Sequence, residues 1–174
     1  GGFFKAALSG ETFHKPVYTG TGKLVLEPGI NEYFKLELDN EHFIIDQVAL
    51  CVSYLTVEVS AFRNKAINTM FSGEGWFQTS VEGKGTVIIC APGPVEIIDL
   101  KNDVLVVDGS FAVARSADLN FEVTRSSKSL WGSMTSGEGL VNTISGTGRV
   151  YIAPVPNKNI MMQRLISFRN VTSK

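Results

Sequence analysis

One acidic motif recurs at near-constant spacing, and its glutamate is the only titratable residue that does so. Ser9-Gly10-Glu11 returns as Ser72-Gly73-Glu74 and as Ser136-Gly137-Glu138. Three carboxylates related by a repeat could converge and bind a cation through oxygen ligands. Alternatively, each carboxylate accepts hydrogen bonds from N–H groups of its own turn. The turn interpretation is favoured, because three carboxylates brought together without a metal repel one another.

A glycine pair follows each acidic motif. The pairs are Gly20 with Gly22, Gly83 with Gly85, and Gly146 with Gly148. Glycine-rich loops can cradle phosphates at the start of a helix. Here each pair opens a short apolar strand instead, which favours corner turns of a repeated sheet, where glycine tolerates close backbone approach. We therefore interpret the glycine pairs, together with the acidic motifs, as a structural repeat motif.

The other reactive side chains form no recognisable catalytic or metal-binding pattern. A metal centre in a β-roll needs two or three histidines with a carboxylate on adjacent strands, but the chain has only His14 and His42. Serine is plentiful, yet no G-x-S-x-G elbow occurs. Cys51 and Cys90 lie inside apolar runs, which predicts small core thiols, and the lack of a CxxC motif favours a reducing compartment. The sequence predicts a protein that is not an enzyme and needs no cofactor or metal.

Composition and charge argue against several classes of protein. The 174 residues carry 16 basic and 17 acidic side chains, without the basic excess that neutralises nucleic-acid phosphates. Lys23, Lys35, Lys84 and Lys101 are interleaved with acids, which predicts a solvated mixed face rather than an RNA surface. The longest uncharged apolar-rich run, at 47–57, is shorter than the 18 residues that a membrane span requires.

Strands must position these motifs. The segment from Tyr33 to Leu38 alternates apolar and polar residues, which is typical of a half-buried strand. Further strands, rich in β-branched and aromatic residues and bounded by turn residues, are predicted at 23–26, 43–45, 49–59, 86–90, 104–107, 111–114, 119–123 and 149–153. Two stretches look helical, at 3–8 and around Met161, Leu165 and Phe168. Trp76, Phe77 and Trp131 are predicted to fill the core.

The repeats predict one β domain over residues 1–157, built from units of about 63 residues that begin at 9, 72 and 136. The third copy stops after its first strand, near Pro154. We expect a segment upstream of this chain to supply the missing outer strands. The tail at 158–174 is predicted to cover the open edge of its own domain. The alternative is a short amphipathic helix that docks on a partner or a membrane surface.

The order of these motifs resembles a known family. The resemblance rests on the runs 73–77, 83–87, 106–114, 136–141 and 146–150. Over Gly2 to about Pro156 the chain is similar to the altered inheritance of mitochondria protein 24 family, also called the mitochondrial biogenesis family. Members of that family carry further N-terminal strands, which agrees with the incomplete third unit here.

The resemblance implies a fold like that of the tryptophan RNA-binding attenuation protein. This is an all-β double-stranded β-helix or β-sandwich, here with pseudo-threefold repeats and a short C-terminal helix. The resemblance implies little chemistry. Because the residues form no catalytic pattern and open β-rolls pair at their edges, we expect a non-enzymatic scaffold or assembly protein that acts through protein–protein contacts and self-association. A small-ligand or RNA-binding module is the alternative, although the charge pattern argues against nucleic acid. Eukaryotic members would be mitochondrial, and prokaryotic members cytoplasmic.

Overall fold

Eight strands, all paired antiparallel, make up the regular structure of the residues that the computed structural model describes. Those residues are 16–25, 31–46, 49–64, 77–108, 111–125 and 140–155. The strands are β1 (Glu32–Ile45), β2 (Leu50–Ser53), β3 (Val57–Arg63), β4 (Phe77–Ala91), β5 (Glu96–Asp108), β6 (Ala112–Ser116), β7 (Asn120–Arg125) and β8 (Leu140–Ile152). This part of the chain contains no helix, and so none that could span a membrane. The prediction of an all-β fold is confirmed.

A bulge joins two predicted strands into one. The segments predicted at 33–38 and 43–45 both belong to β1, which continues past a register shift between Asp39 and Glu41. Asn40 lies at this shift with φ of +57°, a left-handed conformation that asparagine adopts more readily than most residues. The same kind of bulge occurs in β5, where Asn102 has φ of +53° and lies beside the register shift between Leu100 and Asp103. Asn40 and Asn102, which the sequence predicts to lie in turns that bound strands, therefore lie in bulges within paired strands.

The single strand predicted at 49–59 is wrong, because a turn at 54–56 separates β2 from β3. In this turn the Val57 N–H donates to the Tyr54 carbonyl at 3.0 Å. β2 pairs with β4 over 87–89, and β3 pairs with it over 77–83. The two contacts lie on opposite sides of Gly85, so the neighbouring chain breaks where β4 carries its glycine pair.

The strand predicted at 23–26 is also wrong for its described part. Residues 23–25 lie outside any strand and are exposed, and no described strand pairs with them. Isolated extended backbone without a neighbour gains none of the hydrogen bonds that hold a sheet.

Two four-strand units make up the sheet. In the first unit β4 lies between β1 on one side and β2 and β3 on the other. In the second unit β8 lies in the same way between β5 on one side and β6 and β7 on the other. The units meet where β6 pairs with the end of β1, and we call this contact the β1–β6 joint. The two units correspond strand for strand. The pseudo-threefold repeat needs a third unit, and it stays a prediction.

Two clusters of buried side chains stabilise these units. The larger includes Leu36, Phe43, Val87 and Ile89, all at most 2% exposed. Tyr151 of β8 joins it, with its ring centroid 5.7 Å from that of Phe43. The smaller cluster contains Leu100, Leu119, Ile144, Val150 and Ile152. Full burial of one such side chain contributes about 1.5 to 3 kcal/mol, so both units carry their own apolar core while Tyr151 ties them together.

Several predictions fall on residues outside the described ranges. These are the helical stretches at 3–8 and 158–174, His14, and the indole side chains of Trp76 and Trp131. The side chain of Phe77 likewise lies outside the described part.

Candidate functional site

The second and third glycine pairs of the repeat motif lie at equivalent positions inside the two long central strands, rather than in turns that open those strands as the sequence predicts. Gly83 and Gly85 lie in β4, and Gly146 and Gly148 lie in β8. Gly83 and Gly146 have φ of +124° and +126°, a region that residues with a Cβ rarely adopt. Gly20 and Gly22 lie in a bend with no atom within 4 Å of an added Cβ. The acidic motifs, with Gly10, Glu11, Gly73, Glu74, Gly137 and Glu138, lie outside the described residues.

His42 takes part in a local hydrogen bond in β1. Its Nε2 lies 2.7 Å from the Ser80 Oγ of the neighbouring strand β4. In the described ranges no group of three His, Cys, Asp or Glu side chains is arranged to hold a metal ion.

The prediction of two free core thiols is wrong, because Cys51 and Cys90 form a disulfide with 6.2 Å between their Cα atoms. The register shift between Leu50 and Val52 places Cys51 in the β2 bulge, beside the end of β4 that carries Cys90. Their separation of 39 residues hides this pairing from any local sequence pattern. Disulfides are rare in reducing compartments, so this bond does not support the expectation of a reducing compartment that the lack of a CxxC motif favours.

The second unit carries apolar residues where the first carries the disulfide. The Cys90 N–H donates to the Ala49 carbonyl at 2.6 Å, and the Ala153 N–H donates to the Phe111 carbonyl at 2.9 Å in the same way. Cys51 therefore corresponds to Val113, and Cys90 to Ala153. β6 is held by strands on both of its edges, whereas β2 pairs only with β4 among the described strands. The disulfide thus holds β2, which pairs with one described strand fewer than β6 does.

The β1–β6 joint shows how a strand covers the end of a unit. Phe43, Ile44 and Ile45 of β1 pair with Ser116, Arg115 and Ala114 of β6. The Asp46 N–H donates to the Val113 carbonyl, and the Ala117 N–H donates to the His42 carbonyl, at 2.9 and 3.0 Å. The three β1 residues at this joint are at most 1% exposed, and Phe43 and Ile45 also belong to the larger buried cluster.

The equivalent end of β5 has no such cover in the described part of the chain. Counting from the left-handed asparagines Asn40 and Asn102, Ile44 corresponds to Val106. Ile44 is 1% exposed, but Val106 is 60% exposed. Val104 is 58% exposed, and β5 pairs only with β8 among the described strands. We call residues 104–107 the β5 edge, and it is the candidate interaction site.

A second open edge lies on β2. Tyr54 and Leu55, which follow β2, are 61% and 72% exposed. Neither this segment nor the β5 edge contains the lysines or prolines with which sheet proteins block edge pairing. We call residues 52–55 the β2 edge.

Comparison with known proteins places the chain among relatives. The family model of Mitochondrial biogenesis AIM24 matches residues 1–155. The chain belongs to this family. An uncharacterized protein of Streptococcus pyogenes serotype M6 is 26% identical over 156 residues, which are 87% of this chain and 62% of that protein. This chain thus spans less than two thirds of its curated relative.

A solved structure supports the fold of this AIM24 family member. The crystal structure of a Streptococcus pyogenes protein superimposes with a TM-score of 0.63 over 79% of this chain and 60% of that one, at 24% identity. At this level of identity the likeness concerns the fold alone, and it agrees with the antiparallel architecture described above.

A buried arginine is the least expected polar group of this family member. Arg115 of β6 is 5% exposed, and within the described residues its Nε and Nη1 lack a hydrogen-bond acceptor. Its guanidinium lies 4.5 Å from the Phe121 ring centroid and 5.8 Å from that of Phe62. Burial lowers the pKa of Arg115 to about 10. Two aromatic faces offset part of the cost of burying the charge, but they leave the two N–H groups unsatisfied.

Replacing Arg115 with methionine is expected to raise the unfolding free energy by about 1 to 3 kcal/mol. One pKa unit corresponds to about 1.4 kcal/mol, and methionine removes the buried charge while keeping an unbranched apolar chain. Urea unfolding at pH 7 measures the change, with exposed Arg63→Met as the matched control. Because the folded-state pKa is lowered, the cost is fully present below about pH 10 and fades as the pH rises through that value. The difference in unfolding free energy between R115M and the parent chain should therefore narrow above pH 10. An R115M variant that is less stable than the parent chain at pH 7 would contradict the assignment of Arg115 as a destabilising buried charge.

Ion pairs on the outer faces involve two of the lysines predicted to lie on a mixed surface. Lys35 pairs with Glu37, and Lys84 pairs with Asp39 at 2.8 Å. The hydrogen bond to Asp39 raises the pKa of Lys84. A partly exposed pair between Arg149 and Glu41 links β8 to β1, and its guanidinium lies 5.1 Å from the Phe43 ring centroid. Acids therefore accompany the described cations at these positions, as their interleaving in the sequence predicts.

Sequence reasoning identified the glycine pairs but placed them in turns rather than inside β4 and β8, and it missed the two open edges and the buried arginine. The signal for the β5 edge was the run Val104 to Val107, four apolar residues without alternation between two aspartates. Such a run predicts a strand covered on both faces, and its exposure is visible only when the neighbouring strands are in place. Arg115 sits in the run Ala-Val-Ala-Arg-Ser, where apolar neighbours were the only hint of burial.

Proposed function

We propose that this chain is a non-enzymatic assembly module that acts through protein–protein contacts by accepting a partner strand at the β5 edge. The observation that carries the proposal is the contrast between Val106, 60% exposed, and its counterpart Ile44, 1% exposed under β6. An apolar strand edge that pairs with no further strand is a template for strand addition. Of the outward backbone groups of the β5 edge, the Val104 N–H donates to the Asp103 carboxylate at 2.7 Å, a local bond that a partner strand can replace. On this proposal the repeated units are a scaffold that presents the β5 edge, and they include a third unit with a fold like that of the tryptophan RNA-binding attenuation protein.

A peptide that copies β6 tests the proposal directly. Residues 111–118 as a capped, dye-labelled peptide should bind the chain, because β6 already covers the equivalent end of β1. The Val113 carbonyl and the Ala117 N–H both form hydrogen bonds with β1. Arg115 lies midway between these two residues, so its N–H also points toward β1. A control peptide with proline in place of Arg115 lacks this donor and should bind at least tenfold more weakly.

Fluorescence anisotropy measures binding, with Val106→Lys and Val25→Lys as matched chain variants. Val25 is 87% exposed and lies outside the sheet, so V25K makes the same change away from the edge. We expect V106K to lose at least tenfold in affinity and V25K to bind like the parent chain. Equal binding by both peptides would overturn the proposal. Retention of single-stranded RNA on a filter without peptide binding would favour a ligand-binding module instead.

A further inference from the structure

We infer that the partner of the β5 edge is the β2 edge of a second copy of this chain, an inference that rests on the proposed function. The first step is the equivalence of β2 and β6. Val52 and Ser53 pair with Ile88 and Val87 of β4. Ala114 and Arg115 pair with Tyr151 and Val150 of β8. Both strands also shift register at the same point, between Leu50 and Val52 and between Ala112 and Ala114.

Glycine contacts confirm this alignment independently. A Cβ on Gly85 would lie 3.3 Å from the Tyr54 Cβ, and one on Gly148 would lie 2.9 Å from the Ser116 Cβ. Tyr54 thus corresponds to Ser116, Ser53 to Arg115 and Val52 to Ala114. β2 presents the same outward edge as the strand that already closes β1.

The register of the joint between copies follows from the joint within one copy. Phe43, Ile44 and Ile45 pair with Ser116, Arg115 and Ala114. The equivalent antiparallel pairs are Leu105 with Tyr54, Val106 with Ser53, and Val107 with Val52. In this register the Leu55 N–H donates to the Val104 carbonyl, as Ala117 donates to His42. The joint would cover the four exposed apolar residues of the two edges: Tyr54, Leu55, Val104 and Val106.

Two features favour this partner. Ser53 stands where the internal joint carries Arg115, so the joint between copies buries no charge and sets a small side chain opposite Val106. The disulfide between Cys51 and Cys90 holds β2 on β4, so the β2 edge is ordered before it meets a partner, which lowers the entropic cost of association.

The contact is heterologous, because each copy offers two different edges. One copy gives its β5 edge to the β2 edge of the next, so copies join head to tail, and they form a ring only if the rotation closes. A symmetric dimer through two β5 edges would instead be isologous, and the two arrangements respond differently to single-edge variants.

Size-exclusion chromatography with light scattering tests the inference on the full chain with its disulfide formed. The parent chain should exceed the monomer mass of 18.9 kDa increasingly as its concentration rises. Val106→Lys and Ser53→Lys each block one edge with a charge and should both elute as monomers, whereas the control V25K should assemble like the parent. Circular dichroism of each variant checks that its fold is retained.

Mixing the two blocked variants gives the decisive result. V106K keeps an intact β2 edge and S53K keeps an intact β5 edge, so an equimolar mixture should form a species of about twice 18.9 kDa and nothing larger. If S53K alone still assembles, the heterologous joint is overturned. If mixing restores no dimer, the inference likewise fails.

Hydrogen exchange separates failure of this inference from failure of the proposed function. In the assembled parent chain the Val106 amide should exchange at least tenfold more slowly than in V25K diluted to the monomer. A parent chain that stays monomeric at all concentrations, but binds the β6 peptide, would overturn the second copy as partner and keep the assembly function. A monomer with the Val106 amide already protected would show that the chain covers its own edge, which overturns both.

Discussion

Replacing Gly83 with alanine is expected to lower the unfolding free energy by about 3 kcal/mol or more. Its φ of +124° costs a residue with a Cβ about 1 to 2 kcal/mol. The added Cβ would also lie 2.8 Å from the Thr56 carbonyl oxygen, a backbone atom that can yield only if the turn between β2 and β3 moves. Both terms act in the folded state, so urea unfolding at neutral pH measures them directly.

Two other glycines of the repeat motif provide matched controls. At Gly146 the φ is similar, +126°, but the nearest atom is Leu119 Cδ2 at 3.3 Å, the end of a side chain that can shift. Gly22 meets nothing within 4 Å, so G22A should change stability by less than about 0.5 kcal/mol. The expected order of destabilisation is G83A, then G146A, then G22A. Equal losses of unfolding free energy at all three positions would contradict the idea that the repeat needs glycine where another part of the chain approaches its backbone closely.

Loss of the Cys51–Cys90 disulfide is expected to lower the unfolding free energy by about 4 kcal/mol. The bond closes a loop across a separation of 39 residues, and the chain-entropy relation for such a loop predicts a stabilisation of this size, mainly through the unfolded state. The double variant C51S/C90S should therefore unfold at markedly lower urea concentration than the oxidised parent chain.

Reductant supplies the internal control for this experiment. Dithiothreitol should destabilise the parent chain and leave C51S/C90S unchanged. The mass of the native protein should rise by two hydrogens on reduction. Two thiols that react with a thiol reagent in the untreated native protein would show that the bond is absent, and then β2 would rely on β4 pairing alone.

Local patterns predicted those parts of the fold that local chemistry controls. The alternation of residues 33–38 is preserved in β1, where Leu36 and Leu38 are buried and Lys35 and Glu37 are exposed, because side chains of a strand point alternately to its two faces. Gly83 and Gly146 were recognised as positions that need glycine, and their φ is positive, but they lie inside strands rather than in turns. The polar stretches around Asn40 and Asn102 were misread as turns, because whether a left-handed residue ends a strand or sits in a bulge depends on the neighbouring strand.

Contacts between distant segments were beyond such patterns. Cys51 and Cys90 meet only after β2 pairs with β4, and Arg115 is buried only because β6 lies between β1 and β8. The open edges are subtler still. Ile44 and Val106 occupy equivalent positions in similar strands, but β6 lies beside Ile44 whereas, among the described strands, only β8 lies beside Val106.

The sequence alone therefore predicted an all-β chain with glycines at positions of unusual backbone conformation, and its resemblance to the mitochondrial biogenesis family is shown by the match over residues 1–155. These properties depend on residue type and short-range spacing, which the amino-acid sequence shows directly. Which cysteines pair, which charge is buried and which edges stay open depend on strand order and register, and hydrogen bonding between segments far apart in the chain sets both. The candidate interface belongs to this second group, because an edge exists only in relation to the strand that could lie beside it.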